Sequence, residues 1–216
     1  MQLCVIAKEP RPGFAKTRLS PPCTPHQAAA IAEASLADTL DAVLRTGAHR
    51  RVLVLDGAVG RWLPDGFEVV AQADGGLDRR LAAAFAWCFS TMPDEPVVLI
   101  GMDTPQVQPK ALVDAGDRLH AGADAVLGPA TDGGYWLIGL RTMVRGAFTG
   151  VPMSSAATGA AQRSRLESLG CSVETIGVLD DVDRFADAER VAAQHPVGRL
   201  AAAVACVVRE PVDVFR

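Results

Sequence analysis

The chain has 216 residues, 49% of them hydrophobic, and its 21 lysines and arginines against 25 aspartates and glutamates give a formal net charge of −4. This length predicts one domain over residues 1–216, and nothing in the total charge favours a nucleic-acid partner. The opening MQLCVIA lacks the cationic start of a signal peptide, and no apolar stretch is long enough to span a bilayer. The five scattered cysteines have no metal-ligand spacing and are typical of reduced thiols. We therefore expect a cytoplasmic protein without a membrane partner.

Short apolar runs alternate with segments of helical character along the chain. Strands are predicted at residues 3–7, 51–56, 67–72, 96–101, 124–129, 135–140 and 172–178. A capping box at residues 24–27 predicts a helix to about residue 46, and further helices are predicted at 77–90, 109–121, 157–169 and 184–194. This alternation predicts a mainly parallel sheet covered by helices on both faces, with ligands beyond the carboxyl ends of the strands. The sequence after Pro196 predicts no clear element.

The first candidate site is the loop AKEPRPGFAKTRL, residues 7–19, directly after the first predicted strand. It carries Lys8, Arg11, Lys16 and Arg18, and Glu9 alone opposes them. It has neither the P-loop motif G-x-x-x-x-G-K-[ST] nor the dinucleotide motif G-x-G-x-x-G. Two interpretations stay open: a loop that holds phosphates with side-chain cations and backbone N–H groups, or a solvated surface loop.

Acidic residues follow two further elements. Asp103, in LIGMDTP, comes directly after the most apolar strand and either binds a divalent cation or caps the following turn or helix. Asp180, Asp181 and Asp183 precede the helix at 184–194. We expect one of these three to cap that helix, and because three exceed what a cap requires, a second metal carboxylate is available among them.

A glycine pair lies in GPATDGGYWLIGL, residues 128–140. Gly133 and Gly134 either let the backbone approach a ligand closely or make a tight turn. Tyr135 adjoins Trp136, a pair that burial preferences place in the core, so Asp132 is the stronger site candidate here. No G-x-S-x-G motif is present, which argues against a serine-triad hydrolase.

Five segments in this order resemble the nucleotide-diphospho-sugar transferase (GT-A) superfamily. Within it the chain is similar to the selenodomain-associated transferases of bacteria, which resemble phospholactate guanylyltransferase and molybdenum-cofactor guanylyltransferase. The resemblance covers residues 7–191 and implies a three-layer α/β/α, Rossmann-like fold with a mainly parallel, mixed sheet. The chain departs from the family pattern at GGLDRR, where GDLGER is usual, at Met153-Ser154-Ser155, where Trp-Ser-Thr is common, and at Arg184-Phe185, where Thr-Pro is usual. The segments are AKEPRPGFAKTRL, QADGGLDRRLAAAF, GMDTP, GPATDGGYWLIGL and DVDRFADAERV.

This resemblance implies a role for particular residues. Lys16, Arg18 and Asp103 would be catalytic, and Asp103 and Asp183 would hold Mg²⁺ or Mn²⁺. The acceptor would be bound by Asp132, Gly133, Gly134 and Tyr135. The nucleotide would be bound by Ala7, Lys8, Gly13, Lys16, Arg18, Gln72, Gly75 and Gly76.

Three functions remain open. A nucleotidyltransferase would move an NMP group, guanylyl by resemblance, from a nucleoside triphosphate to a small phosphorylated acceptor and release pyrophosphate. A glycosyltransferase would use a nucleotide-sugar, but many of that fold carry a D-x-D pair where this chain has Gly101-Met102-Asp103. The cationic loop suits a triphosphate, so nucleotidyl transfer is favoured. A non-catalytic nucleotide-binding protein is the third alternative, and a homodimer is compatible with each.

Overall fold

A computed structural model describes residues 1–209 of the chain. Its centre is a seven-stranded sheet in the order β3-β2-β1-β4-β6-β5-β7. Strands β1 to β4 are parallel, β6 is antiparallel to both β4 and β5, and β7 is parallel to β5. The predicted mixed, mainly parallel sheet is therefore confirmed. The strands are β1 (Gln2–Lys8), β2 (Arg50–Asp56), β3 (Glu68–Ala71), β4 (Val97–Gly101), β5 (Ala125–Pro129), β6 (Tyr135–Leu140) and β7 (Val173–Thr175).

Six α-helices accompany the sheet in the described part of the chain. The predicted capping box opens α1: Thr24 Oγ1 accepts a hydrogen bond from Gln27 N at 3.1 Å, and Gln27 Oε1 accepts one from Thr24 N at 2.8 Å. The last helix was not predicted from the sequence. The helices are α1 (Pro25–Leu44), α2 (Leu77–Thr91), α3 (Pro109–His120), α4 (Thr158–Ser168), α5 (Phe185–Gln194) and α6 (Arg199–Arg209).

The two faces of the sheet bury separate apolar clusters, because side chains alternate along each strand. Leu3 and Val5 of β1 face the side covered by α1 and α3, and Cys4 faces the side covered by α2 and α4. A third cluster lies on the outer side of α1, where Ile31 packs with Val191 of α5 and Leu200 of α6. The sheet is thus covered on both faces, and one helical layer is doubled. None of the described helices is long and apolar enough to cross a membrane.

The order of the strands fixes where a ligand can bind. β1 is central and pairs with β2 on one side and β4 on the other, so the chain order reverses between β1 and β4. In open α/β sheets a crevice forms outside the carboxyl ends of strands at such a reversal. Lys8 ends β1 and Gly101 ends β4. Both sequence candidates that follow these strands, the cationic loop and Asp103, are therefore brought to one edge.

Candidate functional site

A cleft of about 600 Å³ opens at the carboxyl edge of β1 and β4. Most of the residues predicted from the sequence line it, while Gly13, Gly76 and Gly133 lie outside its lining. The predicted residues in the lining are Ala7, Lys8, Lys16, Arg18, Gln72, Gly75, Asp103, Asp132, Gly134, Tyr135 and Asp183. Segments far apart in sequence therefore meet in one cavity.

The cationic loop is organised around Phe14. The ammonium of Lys8 lies 5.5 Å from the centre of the Phe14 ring, and the guanidinium of Arg11 lies 4.7 Å from it. Cation–π attraction at these distances holds the two cations on the same ring. Lys8 also donates its backbone N–H to the Met102 sulfur at 3.4 Å, which joins the start of the loop to the residue after β4.

Lys16 is the most enclosed cation of the loop. Its side chain is 8% exposed, forms an ion pair with Asp103 and donates to the carbonyl oxygen of Val182. Its backbone is left-handed, with φ 53° and ψ 36°. Such a conformation is costly for a residue with a Cβ and is concentrated at functional sites. Ser154 (φ 57°), which also lines the cleft, is the other non-glycine residue of positive φ in the described chain.

Arg18 holds a different acid by a weaker contact. Its Nη1 lies 3.1 Å from Asp183 Oδ2, and the two side chains are 66% and 47% exposed. An ion pair so exposed contributes little stability, about 0–1 kcal/mol. Both groups are therefore free to exchange this contact for a ligand at little cost.

Asp181 is a candidate that the sequence interpretation passed over in favour of Asp183. Burial raises the pKa of Asp181 to about 7, and the neighbouring carboxylates of Asp103, Asp132 and Asp183 add to the effect while Lys16 opposes it. Its Oδ1 is buried without a hydrogen-bond partner among residues 1–209. Alternation along an extended segment could have found it, because Asp181 and Asp183 flank the fully buried Val182 and share one side of the chain.

These acids fit a hard divalent cation. A buried carboxylate oxygen without a partner, next to other carboxylates, is what such an ion would satisfy. Among the described residues no three His, Cys, Asp or Glu side chains converge tightly enough to enclose an ion by themselves. Mg²⁺ usually takes one or two carboxylates and completes its shell with water and substrate phosphates. The arrangement therefore suits an ion that a phosphorylated ligand completes.

The expected cap of the helix at 184–194 is wrong. Arg184 occupies the N-cap of α5, and its N–H donates to Asp187 Oδ2 at 2.7 Å. Asp180 instead accepts from Thr131 Oγ1 at 2.7 Å and lies 3.5 Å from Arg190 Nε. Asp187, inside α5, therefore makes the capping hydrogen bond. Asp181 and Asp183 line the cleft instead.

Gln72 is engaged within the protein. Its Nε2 donates to the carbonyl oxygens of Ala7 at 2.6 Å and Val54 at 3.2 Å, and its Oε1 accepts from Arg80 at 2.9 Å. Arg80, which the sequence interpretation missed, lines the cleft, pairs with Asp56 at 2.7 Å and donates to Gly75 O at 2.9 Å. This network shapes the wall beyond β1, β2 and β3.

Gly76 is the N-cap of α2. It lies beside Gly75, which lines the cleft with φ +110°, a conformation that favours glycine. Gly76 therefore contributes by starting the helix that carries Arg80.

The glycine pair makes a close approach within the protein. A Cβ on Gly133 (φ +90°) would overlap the carbonyl oxygen of Ala156, and Gly133 O accepts from Gly159 N at 2.8 Å. Asp132 Oδ1 accepts from Gly134 N at 2.8 Å. The loop between β5 and β6 is thereby packed onto the start of α4, and Asp132 remains exposed at the rim of the cleft.

Tyr135 lines the cleft, while its hydroxyl points away to Gln162 of α4. The Tyr135 Oη donates to Gln162 Oε1 at 3.3 Å, and burial raises the pKa of the phenol far above its usual range. The hydroxyl therefore remains protonated and serves packing.

Comparisons with solved structures show the same fold. A protein of Desulfovibrio desulfuricans G20, named as a candidate nucleotide-diphospho-sugar transferase, matches with a TM-score of 0.86 and 24% identity over 96% of this chain and 95% of its own. Rv0371c of Mycobacterium tuberculosis H37Rv, in complex with manganese, matches with a TM-score of 0.53 and 21% identity over 88% and 97%. A cytidylyltransferase of Leptospira borgpetersenii serovar Hardjo-bovis matches with a TM-score of 0.57 and 10% identity over 96% and 93%.

The sequence also matches a protein family. Residues 32–155, more than half of the chain, match the family described as "Uncharacterized protein conserved in bacteria (DUF2064)". No curated protein matches the chain at a significant level. The matched range contains Asp103 and the glycine pair, and the cationic loop and Asp183 lie outside it.

Proposed function

The chain belongs to the DUF2064 family, and from its fold and its cleft we propose that it is a metal-dependent nucleotidyltransferase. It would move an NMP group from a nucleoside triphosphate to a small phosphorylated acceptor and release pyrophosphate. The observation that carries this proposal is the meeting of opposite charges across one cleft: Lys8, Lys16 and Arg18 on the loop after β1, and Asp103, Asp181 and Asp183 beyond β4 and before α5. A polyphosphate with a divalent cation is a ligand that satisfies both sets at once.

The cations of the loop would bind the triphosphate. Lys16 and Arg18 would bind the β- and γ-phosphates and stabilise the negative charge that develops on the departing pyrophosphate. Lys8, held on Phe14 at 5.5 Å, supplies a further positive charge at the end of β1. Backbone N–H groups of the bent loop would complete this binding.

The acids would hold Mg²⁺ or Mn²⁺. Asp103 with Asp183 or Asp181 supplies the carboxylates. A divalent ion held there would supply positive charge that offsets the negative charge of the phosphates. A manganese complex is known for the similarly folded Rv0371c protein, which supports testing Mn²⁺ beside Mg²⁺.

The transfer itself needs little from the protein beyond orientation and charge. An oxygen of the acceptor phosphate would attack the α-phosphorus, a new P–O bond would form, and the bond from the α-phosphorus to the bridging oxygen would break. No general base is required, because a phosphate acceptor is already ionised at neutral pH. Asp132, Gly134 and Tyr135 would face the acceptor, and the guanylyl group is favoured by the sequence resemblance.

Two other functions are alternatives: ligand-dependent thermal stability distinguishes the first from the proposal, and the release of pyrophosphate distinguishes the second. A glycosyltransferase would bind a nucleotide-sugar. The structural similarity to the Desulfovibrio protein is the reason for considering this alternative. A non-catalytic nucleotide-binding protein would bind nucleotide without turnover. Thermal stability should be measured with Mg²⁺ and each of the four nucleoside triphosphates, and separately with common nucleotide-sugars.

Saturation at about 100 times the dissociation constant should add about 2.7 kcal/mol of stability. A rise in Tm with one triphosphate that a chelator abolishes supports the proposal and identifies the base, and a rise with nucleotide-sugars alone contradicts it.

Asp103→Asn provides the second test of the proposed function. Loss of the carboxylate next to the phosphates should reduce transfer by about 10²-fold or more, since removing one such electrostatic group costs about that much. The matched control is Asp114→Asn, which removes an exposed carboxylate on α3 that pairs with Lys110. Release of pyrophosphate should be followed with a panel of phosphorylated acceptors, and undiminished transfer by Asp103→Asn would refute the proposal.

A further inference from the structure

The ammonium of Lys16 lies on the carboxylate that would hold the metal. Lys16 pairs with Asp103 and also donates to the carbonyl oxygen of Val182, between Asp181 and Asp183. Its side chain is 8% exposed, against 66% for Arg18. The ammonium of Lys16 therefore lies against the acidic cluster and neutralises part of its charge.

Lys16 and a divalent ion compete for the same charge. Two cations placed within a few ångströms of one carboxylate repel each other; Lys16 is enclosed while Asp103 is 46% exposed, so water screens part of this repulsion. Release from Asp103 would leave the enclosed ammonium of Lys16 with the Val182 carbonyl but without a countercharge, which is costly. The ammonium needs another anion within reach, and the phosphates of a polyphosphate bound to the same loop are such an anion.

We propose that Lys16 reserves Asp103 until a polyphosphate arrives. The polyphosphate draws the ammonium off Asp103, and the divalent ion takes the carboxylate in the same event. Metal and polyphosphate then bind with positive coupling: the ion alone binds weakly, and each ligand raises the affinity for the other by the same factor. This inference rests on the metal site of the proposed function but concerns binding and not transfer.

The test measures binding of Mn²⁺ alone to the protein without nucleotide. Free Mn²⁺ is followed by electron paramagnetic resonance for the wild type and for Lys16→Met, which keeps an unbranched side chain and removes the charge. Lys16→Met should bind Mn²⁺ about tenfold more tightly, within the 5- to 150-fold range usual for coupled sites. Adding Asp103→Asn to Lys16→Met should abolish the gain, which assigns it to this site.

Two controls separate charge from side-chain loss. Lys16→Arg retains a positive charge and should keep the weak affinity of the wild type. Lys110→Met makes the same substitution at an exposed lysine of α3, whose side chain is 81% exposed, and should change nothing. An unchanged or weaker Mn²⁺ affinity in folded Lys16→Met protein overturns the proposal.

A measurement on the unaltered chain keeps the proposal testable if Lys16→Met does not fold. The wild type should bind Mn²⁺ more tightly in the presence of inorganic tripolyphosphate, after correction for the complex that the two form in solution. Equal affinity with and without tripolyphosphate overturns the proposal. Neither measurement involves turnover, so an absence of nucleotidyl transfer would count against the proposed function and leave this inference standing.

Discussion

At the scale of single residues, the charged side chains of the cleft differ in burial and in their partners. Lys16 is enclosed and paired, Arg18 and Asp183 form an exposed pair, and Asp181 has a buried oxygen without a partner in the described chain. The ionised carboxylate of Asp181 costs the protein stability, because burial penalises the charged form. The site therefore carries a local instability that a bound cation would relieve.

The stability of the unliganded protein should show this instability as a pH dependence. The pKa of Asp181 is raised from 3.8 to about 7 in the folded protein. Between those values the folded state binds more protons than the unfolded state, so the contribution of Asp181 to stability falls as the pH rises. Asp181→Asn should therefore raise Tm by a few degrees at pH 8.5, and the gain should disappear towards pH 4. Thermal unfolding across this range in a chelating buffer measures it.

Asp124 provides a control of opposite sign. Hydrogen bonds from Ser172, together with Arg141, lower its pKa to about 2, so its stabilising effect is present above the unfolded value of 3.8 and is lost as the pH falls through about 2. Asp124→Asn should lower Tm at pH 7 and have little effect near pH 2. An Asp181→Asn variant whose Tm falls at pH 8.5, as Asp124→Asn does at pH 7, would show that Asp181 is a stabilising ion-pair partner instead.

At the scale of elements, local sequence signals located the strands and most helices well. Residues 135–140 were predicted as a strand and form β6 (Tyr135–Leu140), and residues 77–90 form most of α2 (Leu77–Thr91). Such elements have strong periodicity and capping residues, which act within a few positions of the chain. The helix α6 was missed because its apolar face is matched to α1 and α5, which is information held in the tertiary structure.

The location of the candidate site could be predicted where it depends on the end of a strand. Lys8 ends one central strand and Asp103 follows another, and the rule that ligands bind at this edge was enough to place them together. The choice between Asp181 and Asp183 depends on burial and on the partner taken by Arg18, neither of which appears in the sequence. For the same reason Arg80 and the internal hydrogen bonds of Gln72 were not foreseen.

The contact between the β5–β6 loop and α4 should be sensitive to one methyl group. Gly133→Ala adds a Cβ that overlaps Ala156 O at a φ of +90°. Gly122→Ala adds a Cβ at φ +117° with no atom within 4 Å, so it isolates the backbone strain, which costs about 1 kcal/mol. Gly133→Ala should lower Tm by several degrees more than Gly122→Ala in differential scanning calorimetry. Equal losses would mean that the loop moves aside without cost.

At the scale of the whole molecule, the two faces of the sheet depend on different residues. The face under α2 and α4 is centred on Phe85, which is 1% exposed and lies 5.6 Å from the ring of Phe148 and 6.3 Å from that of Phe89. The opposite face is filled mainly by aliphatic side chains such as Leu36, Leu40 and Ile100, and Trp136 is its buried aromatic residue. Phe85 therefore joins the two other phenylalanine rings of this layer.

Phe85→Ala should cost about 3–5 kcal/mol of unfolding free energy, because a large side chain is removed from a closed core. At about 2–4 °C per kcal/mol for a chain of this size, Tm should fall by about 10 °C. Val59→Ala, at a residue that is 54% exposed, should leave Tm nearly unchanged. In urea unfolding, an unchanged m-value would confirm that the variant loses stability without a change of the unfolded state. A loss of unfolding free energy below about 1 kcal/mol would contradict the assigned packing of Phe85.

The third apolar cluster has a consequence for the cleft. Leu19 directly follows Arg18, and Val182 stands between Asp181 and Asp183; both are fully buried among α1, α5 and α6. The cationic and the acidic wall of the cleft are thus both anchored in the third apolar cluster, on the outer side of α1. Packing among α1, α5 and α6 therefore sets the distance between the cations and the carboxylates. Substitutions in this cluster, far from the ligand, would change the spacing of the charges without altering any charged residue.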